Sequence, residues 1–227
     1  MPMSLVCLAY SLLMARQADI SKTRPDEPKS IRIAMAGDST MANYKSPPAA
    51  KGLTGWGMVF GEFFKDRVEI INLAASGRST LSFRQQGFWK RALDAKPNYV
   101  FIQFGHNDQK DKAAGAGPFN TYKANLKKFV EAARSKGGNP VLVTPMERRR
   151  FDKDGNQGAT LADYAEAVRQ VGAEEKVPVI DLNAMSLKLY AALGPEQSKK
   201  AFEQNYAGWS TVLASQKAIM DSMRTAG

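Results

Sequence analysis

The stretch AMAGDSTMANY (34–44) follows a short apolar run and presents Ser39 beside Asp38. A serine hydroxyl is a poor nucleophile until a base takes its proton. The chain holds one histidine, His106, inside GHND (105–108). Between these two stretches lies NLAASGRST (72–80), with Gly77 near its centre. Together the three stretches carry the parts of acyl transfer. Ser39 would attack an ester carbonyl, and the negative charge of the tetrahedral intermediate needs preorganised donors. The backbone N–H groups of Ser39 and Gly77 and the side-chain amide of Asn107 could supply three. Glycine at 77 lets a substrate oxygen approach the backbone. Each residue also has a plain structural reading: Ser39 as a helix cap, Gly77 as a turn residue and Asn107 as a loop-bracing amide.

The elements that must position these residues are legible as a pattern. Five apolar, β-branched runs recur: IRIAMA (31–36), VEIINLA (68–74), YVFIQF (99–104), PVLVTP (140–145) and VPVIDL (177–182). Helical spacing of apolar residues is found around Trp56–Phe64, Leu81–Leu93, Tyr122–Ala133 and Leu161–Val171. Tyr122, Leu126, Phe129, Val130 and Ala133 share a face, and Gly137 and Gly138 end that helix. Strands alternating with helices predict an α/β fold, a flavodoxin-like three-layer α/β/α sandwich around a five-stranded parallel sheet. Ligands bind such sheets beyond the carboxyl ends of the strands. Three strands lead into the Ser39, Gly77 and Asn107 loops, which the fold would bring to one place.

Residues 31–227 are expected to form one domain, after a signal-like or disordered segment at 1–30. In that segment Ser4–Ala15 is an apolar run of signal-peptide size, with no basic start and with ARQA (15–18) as a poor cleavage site. A secreted or periplasmic location is the expectation. Cys7, the one cysteine, lies in the same segment, so a processed chain would have neither disulfide nor thiol chemistry. After the N-terminus no apolar run is long enough to span a membrane. The formal charge of +10 favours an anionic partner. There is no nucleic-acid motif, no phosphate-binding glycine loop, and too few histidines and cysteines for a usual zinc site. No cofactor, metal, nucleic acid or membrane partner is expected, and a monomer is the default.

In this order, AGDSTMA (36–42), GWG (55–57), NLAASGRST, QFGHND (103–108), TPMERRRF (144–151) and VPVIDLNAMS (177–186) resemble the SGNH, or GDSL-type, hydrolases. The nearer likeness is to their rhamnogalacturonan acetylesterase-like branch, over roughly Ile31 to Phe202. The resemblance implies a serine esterase with Ser39 as nucleophile and Ser39, Gly77 and Asn107 as oxyanion hole. It also implies removal of acetyl groups from pectic polysaccharide, an acetylated acidic polymer, or turnover of another small acyl ester. Arg78, Arg149 and Arg150, with Arg148 beside them, are candidate contacts for substrate carboxylates; a solvated basic loop is the alternative.

The family's last block, an Asp-x-x-His that supplies the base and its orienting carboxylate, has no counterpart here. After LGPEQSKKAF (193–202) the nearest stretch is DSMR, Asp221 to Arg224, and arginine is no base. Three explanations stand. The gene is truncated or frameshifted after about Phe202, giving an incomplete esterase; or the chain is a pseudoenzyme that binds acidic carbohydrate without turnover; or Asp38, Asp108 or His106 serves as a poor base. In the family pattern the histidine of GHND is not the base, and a histidine bonded within its own loop is expected.

Overall fold

A computed structural model describes residues 30–44, 54–64, 67–111 and 116–203. The expectations for the N-terminal segment, Cys7, Asp221 and Arg224 lie outside these residues.

Five parallel strands form one sheet in the order β2-β1-β3-β4-β5: β1 Ile31–Gly37, β2 Val68–Asn72, β3 Tyr99–Gln103, β4 Asn139–Val143 and β5 Val179–Ile180. This is the expected flavodoxin-like order. The chain steps from β1 to one side and then returns to the other, so a crevice opens beyond β1 and β3. Side chains alternate between two cores. Ala34, Ala36, Val100, Ile102 and Leu142 face one layer, while Ile33, Met35, Phe101, Val141 and Val143 face the other. Near-continuous burial of β1, β3 and β4 explains why these strands read as unbroken apolar runs.

The first layer holds α1 (Thr80–Gln85), α2 (Phe88–Asp94), α3 (Lys123–Ser135) and α4 (Ala162–Glu175), through Phe83, Trp89, Phe129 and Val168. The second holds two 3-10 turns, Trp56–Met58 and Phe60–Phe63, and the start of α5 (Leu182–Glu203), which is broken by a non-helical Gly194 before Pro195.

Several boundaries differ from expectation. Trp56–Phe64 is not an α-helix. Trp56 N–H donates to the Thr40 carbonyl at 2.9 Å, which presses the segment onto the turn after β1. A Cβ at Gly55 or Gly57 would overlap the backbone of Met41 and Ala42. Leu81–Leu93 is two helices, because Gly87 between them has φ +79°. A π-helical turn, Pro118–Tyr122, leads into α3. The run 177–182 yields only a two-residue strand, since Leu182 already opens α5.

Candidate active site

Three loops leave the carboxyl edge of the sheet side by side. Met35 lies opposite Asn72 on one neighbour and Phe101 on the other, and Gly37 lies opposite Gln103. Hydrogen bonds continue past the strands. Ala75 N–H donates to the Gly37 carbonyl at 2.9 Å, and the Asn72 amide donates to the Met41 carbonyl at 2.9 Å. The topology thus brings together the loops that carry Ser39, Gly77 and Asn107.

Ser39 stands half-buried at the head of the turn 39–41. The N–H groups of Met41 and Ala42 both donate to the Asp38 carbonyl, at 3.2 and 3.1 Å, which closes the turn. No helix follows directly, so Ser39 is not a helix cap. That role belongs to Ser79, whose hydroxyl accepts from Ser82 N–H at 3.2 Å at the start of α1. The Ser39 carbonyl accepts from the Tyr44 hydroxyl at 2.9 Å.

The turn rests on a buried polar chain. Trp56 Nε1 donates to Gln103 Oε1 at 2.7 Å, Gln103 Nε2 donates to Thr40 Oγ1 at 2.9 Å, and Thr40 Oγ1 donates to Asp38 Oδ1 at 2.8 Å. Thr40 N–H donates to the same oxygen at 2.9 Å. A threonine hydroxyl accepts one bond and donates another, so each link fixes the next. Asp38 is wholly buried. Its second oxygen, Oδ2, lies 3.5 Å from His106 Nδ1, across from the β3 loop. His106 therefore faces the Ser39 turn rather than a group in its own loop.

Gly77 has φ +76°, and its would-be Cβ position is open, with no atom within 4 Å. Only glycine adopts this left-handed conformation at no cost. The following residue is held from the third loop: Asn107 Nδ2 donates to the Arg78 carbonyl at 3.0 Å. Lys110 Nζ donates to Asn107 Oδ1 at 3.1 Å and so orients the amide. An amide nitrogen carries two protons, so Asn107 retains one N–H beyond the Arg78 bond.

Asp108 faces away from Asn107 and anchors α1. It accepts from Thr80 N–H at 3.0 Å and from the Thr80 hydroxyl. Burial raises its carboxyl from 3.8 to about 6, helped by the nearby Asp38 and opposed by the Thr80 bonds. With both oxygens committed to Thr80, it is poorly placed as a base.

The arginines separate. Arg148 is a brace: its guanidinium donates to Gln109 Oε1 at 2.6 Å, to Thr160 Oγ1 at 3.2 Å and to the His106 carbonyl at 3.3 Å. Arg149 donates to the Pro195 carbonyl at 3.3 Å and lies over Phe151. Arg150 is exposed. Arg78 lies over the Phe88 ring, with its centre 5.4 Å from the centroid, and donates to the Ser76 carbonyl. Beside the arginines of TPMERRRF stands Glu147, which was not among the expected site residues. That side chain is fully buried and accepts from the N–H groups of Arg148, Thr160 and Leu161 and from the Asn183 amide. A single carboxylate set between a buried Met and three arginines was the available signal. Gln103 and the Thr80–Asp108 pair carried no comparable signal, because their partners are distant in sequence.

Residues 35–214 match the GDSL-like Lipase/Acylhydrolase family. The chain is 43% identical over 176 residues to rhamnogalacturonan acetylesterase RhgT of Bacillus subtilis, which covers 77% of this chain and 74% of the relative. It is 36% identical over 169 residues to the probable rhamnogalacturonan acetylesterase YesY of the same organism, covering 73% and 76% respectively. In fold it is similar to the crystal structure of the Bacillus subtilis protein YxiM. The TM-score is 0.70 at 22% identity, over 88% of this chain and 58% of that one.

Proposed function

Because this chain belongs to the GDSL-like lipase/acylhydrolase family, the SGNH hydrolases, and is by family a carboxylic ester hydrolase, we propose that it removes acetyl groups from pectic polysaccharide, with Ser39 as nucleophile. The observation that carries this reading is the fastening of the three loops. Asn107 holds the residue after Gly77, and Gly77 leaves open space in front of its backbone. In this reading Ser39 Oγ attacks the acetyl carbonyl. The oxyanion is received by the N–H groups of Ser39 and Gly77 and by the second N–H of Asn107, in a setting already organised before substrate arrives. The names of the two Bacillus relatives support acetylated rhamnogalacturonan as substrate. A net charge of +10 suits a galacturonate-bearing chain, with Arg78, Arg149 and Arg150 as carboxylate contacts.

Oxyanion donors and binding alone leave roughly 10³–10⁴-fold acceleration over water in serine triads, and a Ser39-dependent release must exceed that level in a sequence that holds no Asp-x-x-His. The reaction is accordingly slow beside that of a complete triad. Acetate release from acetylated rhamnogalacturonan, compared between the chain and its Ser39→Ala variant, tests the proposal. A slow release lost in the variant is expected. Binding of the polymer with no Ser39-dependent release would replace the esterase reading with that of a carbohydrate-binding pseudoenzyme.

A further inference from the structure

Asp38 immediately precedes Ser39, and His106 immediately precedes Asn107; these two preceding residues face each other. Asp38 Oδ1 is occupied twice, by Thr40 N–H and by the Thr40 hydroxyl. Oδ2 and His106 Nδ1 are both buried and without a hydrogen-bond partner among the described residues, yet they lie 3.5 Å apart. Buried polar atoms are rarely left unpaired, because they lose their bonds to water without replacement. The His106 side chain is 14% exposed although Nδ1 is buried, so its exposure falls on other atoms of the ring.

We propose that Asp38 and His106 form a cross-brace that sets the spacing of Ser39 and Asn107, with His106 Nδ1 carrying the proton and donating it to Asp38 Oδ2. The alternative tautomer would turn the Nδ1 lone pair toward a carboxylate oxygen, a repulsive contact in a buried setting. A small ring rotation closes the remaining gap to hydrogen-bond distance. The other charged groups facing the pair fit this assignment. Arg148 donates to the His106 carbonyl from the β4 loop, Asp108 lies near enough to Asp38 to raise its own carboxyl, and Lys110 is spent on Asn107. In the neutral ring Nε2 is then the unprotonated nitrogen. Both residues are positioning residues: they act through Ser39 and Asn107, and that part of the proposal rests on the esterase reading above.

His106 is the one histidine of the chain, so the nitrogen signals of a ¹⁵N-labelled imidazole are unambiguous. At about pH 8, above the ordinary histidine range, the intact chain should show the proton on Nδ1. In Asp38→Asn, Thr40 still needs an acceptor at Oδ1, so the amide NH₂ takes the place of Oδ2 and the ring switches to the Nε2–H form. His106→Asn, whose amide nitrogen overlays Nδ1, should keep the Ser39-dependent kcat within a few-fold. His106→Leu should lower it about tenfold or more with KM little changed. A proton on Nε2 in the intact chain overturns the brace, as does a parental kcat in His106→Leu. A chain with Nδ1–H but no Ser39-dependent rate would keep the brace and remove the esterase reading instead.

Discussion

Asn107 and Arg78, 29 residues apart in sequence, are joined by a 3.0 Å bond from the Asn107 amide to the Arg78 carbonyl. One side chain thereby fixes the Gly77 loop, and in the proposed reaction its remaining N–H serves the oxyanion. Asn107→Ala should reduce the Ser39-dependent kcat by about 10²–10³-fold, the usual cost of one oxyanion donor. KM should change little, because the donor acts on charge that develops in the transition state. The split between kcat and KM on a soluble acetyl ester checks this.

Asp108 makes stability depend on pH in an unusual direction. Burial favours its protonated form, so the folded state binds this proton more tightly than the unfolded one, with a carboxyl at about 6 against an ordinary 3.8. Its stabilising contribution is in full below the unfolded value and is lost as pH rises through about 6. The difference corresponds to about 3 kcal/mol across the window. Asp108→Asn, which keeps an acceptor for Thr80, should flatten this part of the curve. Chemical denaturation at several pH values between about 4 and 7 measures the slope.

Glu147 acts in the opposite sense. Burial pushes its carboxyl up, but donors from Thr160, Leu161, Arg148 and Asn183 outweigh burial and hold it below the ordinary 4.5. Its contribution is present above the unfolded value and disappears as pH falls through the lower folded one. Glu147→Gln places an NH₂ against donors and should cost about 3 kcal/mol at neutral pH. Its melting temperature should also fall less steeply than the parent's on acidification below about pH 4.5.

Gly57 is a packing requirement for the Ser39 turn. A Cβ there would strike the Met41 carbonyl and the Asn72 amide, which are bonded to each other. Gly57→Ala should therefore destabilise the chain by about 2 kcal/mol. It should also lower esterase activity more than an equally destabilising change in the α3–α4 layer, a comparison that thermal melts and rates on the same samples would make.

The legible parts of this protein were those governed by local pattern. The inner strands β1, β3 and β4 are largely buried and so read as apolar runs, and Phe129 and Val130 marked α3 by their spacing. The three loops were found because chemistry-bearing residues follow strand ends. What escaped depends on contacts distant in sequence. The apolar spacing of Trp56–Phe64 resembles a helix, but the close approach of Gly55 and Gly57 to the Ser39 turn decides its form. The helix α5 was hidden by the apolar run before it, although Asp181, whose carboxylate accepts from Ala184 N–H at 3.2 Å, is a readable start signal. Glu147 and Gln103 are polar residues in buried positions, and only the folded arrangement shows what they bond.

The central claim is that Ser39 is a working nucleophile in this chain. The most direct measurement is acetate release from p-nitrophenyl acetate by the chain and by Ser39→Ala, each above the spontaneous rate. The account predicts a rate well below that of a complete triad but abolished by the substitution. Equal rates for the two proteins would contradict it, leaving the oxyanion loops assembled but idle.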